Sequence, residues 1–298
     1  MSAKAFARLA RYRSPVPAGA PAPRRAAGLR LAVLIGLVAL LGACGSPIRT
    51  EYAAYANRLQ ADNHLRTDRA PRDAPYSDRD LQRNFLAIAF ALEQTSFQEA
   101  RKKRLSRWQV PIRYLVVGGD RQDVARVDAM MRRLAKITGH PIRRVKKDSN
   151  LLVLFADQQE RQQVARYLDH LSGPGAVALA QVVRISEYES PCRGGLGYGS
   201  DRSSIASALV IINDETSGLL RQACIEEELS QAMGLTNDDP DVRPSIFNDD
   251  QEFALLTDHD AILLRMLYHP LLKPGMTEDQ ARRRLGRVLA DLRRRGLR

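Results

Sequence analysis

The sequence predicts an α/β domain, a mixed sheet with a long helix behind it and further helices at its C-terminal end. Three observations carry this prediction. Short runs rich in Val, Ile, Leu and Phe, at 111–117, 150–156, 176–185 and 205–212, alternate with stretches whose apolar residues recur every three to four positions. Gly and Pro fall between the two kinds of segment. The folded part, placed at 77–276, is long enough to bury a sizeable core and contains no internal repeat.

Taken in order, residues 44–76 are polar and weakly periodic and read as a tether, with a short helix over 52–59. Ser77 and Asp80 form a capping box ahead of Leu81, Phe85, Ile88 and Leu92 at helical spacing. The strand at 111–117 ends at Gly118-Gly119, and a helix over 120–137 stops at Gly139 and Pro141. A second strand at 150–156, a helix at 158–171 and a third strand at 176–185 follow. The glycine-rich segment 194–199 lacks the strand-to-helix setting of a phosphate-binding loop and reads as a flexible surface loop. A fourth strand at 205–212 leads to a helix over 217–233 that ends at Gly234. The last element, 278–295, is a basic amphipathic helix. It reads either as docked with a solvated arginine face or as a surface for anionic lipid headgroups or acidic polymers.

Ahead of all this stand an arginine-rich leader and an apolar run at 31–41, too short to span a bilayer, closed by Leu41-Gly42-Ala43-Cys44. That order resembles a bacterial lipobox. The resemblance implies a signal peptide over 1–43, acylation of Cys44, and a lipid anchor that is effectively permanent. Gly45 resembles the sorting pattern for the outer membrane. The leader holds seven basic residues and no acids, so the net charge of +12 falls to +5 without it, and the eight arginines of 277–298 account for the remainder. With no helix-turn-helix, zinc-finger or RNA-binding signature, this basicity does not point to nucleic acid. Cys192 and Cys224 are then an even pair in a chain bound for an oxidising compartment and are expected to form a disulfide, two buried thiols being the alternative.

Residues 225–237, IEEELSQAMGLTN, have the spacing of the extended zinc-peptidase motif HExxHxxGxxH. Glu227, Gln231 and Asn237 fall on the three metal-ligand positions, Glu228 on the general base and Gly234 on the turn. Pro244-Ser245-Ile246-Phe247-Asn248 resembles the Met-turn of such enzymes, and the helix from Thr257 onward resembles their last helix. The resemblance implies a zincin-like (metzincin-like) domain. The whole chain after Cys44 also resembles an uncharacterised proteobacterial lipoprotein-type family, through EELSQAMGL, PSIFNDDQEFALLT and LLRMLYHPLLKPGMT.

Chemistry limits the carry-over. Amides are feeble zinc ligands, and His64, His140, His170, His259 and His269 never lie one turn apart on a helix, so zinc is not expected. Three readings of 226–231 follow. It is a solvated acidic turn on an amphipathic helix, or part of a degenerate peptidase cleft that binds a protein, peptide or glycan without cleaving it. In the third reading it is an oxygen-liganded metal site, calcium included, built from Glu227, Glu228 and Asp238, Asp239 or Asp249. Turn formation and capping are the simpler explanation of the loop aspartates and of Thr257 with Asp260. The expected function is that of an envelope lipoprotein held by Cys44 at the periplasmic face of the outer membrane, a noncatalytic binding or scaffolding module for an envelope protein or cell-wall partner. The alternative is a metal-dependent hydrolase with Glu228 as general base.

Overall fold

A computed structural model describes residues 47–90, 104–170, 182–184, 190–248 and 250–298. The leader, Cys44 and Leu92 lie outside these, as does Asp249. The fold class is α/β. Five strands run parallel in the order β1 (Arg107–Trp108), β6 (Ser204–Asn213), β4 (Leu151–Ala156), β2 (Ile112–Val117) and β3 (Ile142–Arg144). Parallel neighbours need long crossovers, and helices α3 (Arg121–Thr138) and α4 (Gln158–Asp169) supply them. α3 begins at the Asp120–Asp123 capping box and stops at Gly139, whose φ of 69° is the left-handed conformation a helix end favours. Along β4 and β6 the residues alternate between two layers. Val153, Phe155, Val210 and Ile212 enter the main core, while Leu154, Ala156, Leu209 and Ile211 meet Ala165 of α4 on the other face.

Two expectations change here. The glycine-rich segment is not a loop: Cys192–Tyr198 is strand β5, antiparallel to β6 with Gly194 opposite Val210. Low strand propensity is overridden by close packing on both faces. A methyl at Gly194 would lie 2.8 Å from Glu228 Oε2, and one at Gly195 would lie 2.9 Å from Val182 Cγ2. The strand expected over 176–185 falls mostly outside the described residues, and the described part, 182–184, is helical.

The segment read as a tether is packed onto the domain from Pro47 onward. α1 (Pro47–Ala61) buries Ile48 and Tyr52 against Leu220, Ala223 and Ala254, and Leu65 joins the same cluster. Arg66 forms an isolated bridge to Phe253 and donates to Asp68, Asp73 and Glu252. Sparse, widely spaced apolar residues hid this docking from any periodicity argument.

Behind the sheet lies α5 (Gly218–Gln231), buried on nearly every side by β5, β6, α1 and α3. α2 (Asp78–Phe90), α6 (Asp258–Leu267) and α7 (Glu278–Arg294) pack together beyond it. α7 is docked. Ala281, Leu285, Val288, Leu289 and Leu292 are buried, and the arginines lie on the opposite face. Among the described residues no helix is long and apolar enough to cross a membrane.

Candidate functional site

The site is built where α5 meets β5. A disulfide between Cys192 and Cys224, with Cα atoms 5.6 Å apart, joins the two elements. Cys224 and Glu228 are one turn apart on α5, and Cys192 and Gly194 share a face of β5. The bridge therefore brings the Glu228 carboxylate against the backbone of Gly194, where a Cβ would lie 2.8 Å from Glu228 Oε2 and force one of the two to shift. Glu228 is only 5% exposed. Gly234, with φ of 117°, makes the turn after the helix, and a Cβ there would collide with the Ser106 carbonyl.

The three consecutive acids divide their work. Glu226, 5% exposed, accepts from Nη1 and Nη2 of Arg69 at 2.8 Å and from the Leu256 backbone N–H at 2.8 Å, with Arg133 3.6 Å away. It ties α5 to the segment before α2 and to the entry of α6. Glu227 is half-buried and accepts from Gln251 Nε2 at 3.4 Å. It raises the pKa of the Tyr55 phenol on α1, an effect second to burial of the ring. The reading of 226–231 as a solvated acidic turn is therefore overturned, because α1, β5 and the Arg69 segment remove most of this face from water. Nothing local in the sequence marks Glu226, since its partner lies 157 residues away.

The amides at the other ligand positions are spent elsewhere. Gln231 Nε2 donates to both oxygens of Asp238, at 2.9 and 3.1 Å, and Asn237 Nδ2 donates to the Ala87 carbonyl of α2 at 3.2 Å. Among the described residues no three His, Cys, Asp or Glu side chains form a metal-holding group. Glu227, Glu228, Asp238 and Asp239 are thus not gathered as the oxygen-ligand reading requires, and its fifth member, Asp249, is outside the described residues. The polar side chains of these loops serve turns instead. Asp239 accepts from the Asp241 N–H, Asn248 from that of Asp250, and Asp250 from that of Glu252.

Ser245–Asn248 form the turn beneath this loop, with Phe247 fully buried. Asp260 holds it, accepting from Ser245 Oγ at 2.5 Å and from the Ile246 N–H at 3.1 Å while closing a capping box with Thr257. Three of the described histidines have other settings: His140 bonds the Val110 carbonyl, His259 the Asn84 amide, and His269 the Asp291 carboxylate at 3.0 Å. A groove of about 670 Å³ lies elsewhere, between α2 and α7, lined by Arg79, Arg83, Leu86, Phe90 and Arg282 among others and by none of the motif residues.

This architecture coincides with a family boundary. The family described as "Protein of unknown function (DUF2927)" matches residues 78–287, from the first residue of α2 into α7. The chain belongs to the DUF2927 family. No curated protein and no solved structure matches it. The DUF2927 region contains β5, the disulfide and the whole motif, whereas α1 and Arg69, which cover the motif helix, lie before it.

Proposed function

We propose that this protein is an envelope lipoprotein, acylated at Cys44 and held at the periplasmic face of the outer membrane, whose degenerate zincin-like domain binds an extended peptide or protein segment without cleaving it. The leader, the apolar run and the small residues before Cys44 support the anchor. Register supports the zincin-like reading. Glu227, Glu228, Gln231, Gly234 and Asn237 keep the motif spacing, Gly234 makes the turn, and the buried Phe247 turn meets the following loop, its carbonyl accepting from the Asp239 N–H.

The observation that carries noncatalytic binding is the engagement of both amides, Gln231 by Asp238 and Asn237 by Ala87. β5 adds the means of binding. It lies beyond β6, no described strand pairs with its other edge, and an extended segment added there would gain main-chain hydrogen bonds along the strand whose Gly194 meets Glu228.

Metal content of the dialysed protein, measured by mass spectrometry for the parent and for a Glu227→Ala, Glu228→Ala double variant, tests this reading. Metal-free protein of unchanged fold is the expected result. Near-stoichiometric metal in the parent but not in the variant would overturn it in favour of a hydrolase with Glu228 as general base.

A further inference from the structure

Only Gly45 and Ser46 separate Cys44 from Pro47, the start of α1, so three residue steps join them. At 3.3 to 3.6 Å per residue their reach is about 10 Å, whereas a free tether over 44–76 would reach roughly 110 Å. Because α1 is docked, its first turns fix which part of the domain lies within that reach of Cys44. Arg49 Nη2 donates to the Asp214 carbonyl at 3.0 Å, and the Tyr52 hydroxyl accepts from Asn213 Nδ2 at 2.7 Å and donates to the Ser190 carbonyl. Asn213 is the last residue of β6. The loop after it pairs with the end of β4, Asp214 N–H to the Ala156 carbonyl and Gln158 N–H to Glu215 Oε1. The start of α1 thus lies at the carboxyl edge of the parallel strands.

α7 sits at the other edge. Its entry is held where Gly275 N–H bonds the Leu105 carbonyl beside Ser203, and Asp291 meets His269, whose carbonyl accepts from Arg107 of β1. β1 pairs with the amino end of β6, at Ser204. From Ser204 to Asn213 the sheet extends about 30 Å, several times the screening length of about 8 Å at physiological salt. Many of the arginines there are also paired, Arg282 with Glu278, Arg293 and Arg298 with Asp78, and Arg294 and Arg295 with Asp291.

We propose that α1 seats the carboxyl edge of the parallel strands on the bilayer holding the acylated Cys44, and that the arginine face of α7 is turned away from that bilayer and does not bind it. The placement rests on the acylation proposed above. The charges at this edge are mixed, Arg49 and Asp214 beside the end of β6 and Asp157 and Glu160 just after β4, so the covalent anchor and the docked helix set the orientation, not attraction to anionic lipid.

Energy transfer to a labelled phospholipid tests it. Full-length protein is reconstituted in phosphatidylethanolamine–phosphatidylglycerol vesicles, with a donor dye on an unnatural amino acid at exposed Gln159 or exposed Arg283. Transfer at Gln159 is expected to exceed that at Arg283 by about twofold or more and to be insensitive to salt. Inserting about 20 Gly/Ser residues before Pro47 should erase the difference. Equal transfer at the two positions, or stronger transfer at Arg283 that fades with salt, in protein that floats with the vesicles would overturn the orientation and leave acylation standing. Flotation of a Cys44→Ser variant as efficient as that of the parent would overturn acylation and this placement with it.

Discussion

Glu226 and Glu228 are neighbours but one in sequence, equally buried, and held for different reasons. Glu226 is structural. Glu226→Ala would leave the Leu256 N–H without its acceptor and Arg69 with only the Leu256 carbonyl, an expected loss of about 2 to 3 kcal/mol in urea unfolding, discounted because Arg69 is partly exposed. Arg282→Ala, which breaks an exposed pair, should change stability by less than about 0.5 kcal/mol in the same assay. Glu228 is positioned by what β5 lacks. Gly194→Ala would force its carboxylate aside, at an expected cost of about 1 to 3 kcal/mol. In a Glu228→Ala background the same substitution should cost much less, and a double-mutant cycle with no coupling would show that the two do not touch.

At the scale of elements, helix ends carry much of the specification and the pH dependence. Asp80 and Asp120 are held below the usual carboxylate range, Asp80 by the Ser77 backbone N–H and Asp120 by that of Asp123. Their folded pKa values lie below the unfolded ones. The stability they contribute is therefore complete above about pH 4 and lost as pH falls through the folded values. Urea midpoints should fall as pH is lowered below about 4, and Asp120→Asn should flatten part of that fall. The disulfide is the other element-level device. Replacing both cysteines by serine should cost about 3 to 4 kcal/mol in the chain-entropy account and loosen β5, read as faster amide exchange at 193–197.

For the molecule as a whole, α1 is the feature that changes the picture. It supplies Ile48 and Tyr52 to a cluster completed by Leu220, Ala223 and Ala254 of the domain. Removing residues 1–76 should lower the unfolding midpoint clearly and leave the α5 face prone to association, measured by urea denaturation and light scattering. Removal of a free tether would change neither.

The sequence by itself determined the α/β class, most element boundaries, the capping boxes at Ser77 and Thr257, the spacing of the motif and the pairing of Cys192 with Cys224. Each of these depends on periodicity, on chemistry within a few residues, or on counting two cysteines. Tertiary structure alone decided that CRGGLGY is a strand, that α1 lies on the motif helix, and that Glu226 belongs to Arg69. These depend on contacts between segments far apart in the chain. There the space left by a glycine or the partner of a buried charge is set by a neighbour that no local pattern encodes.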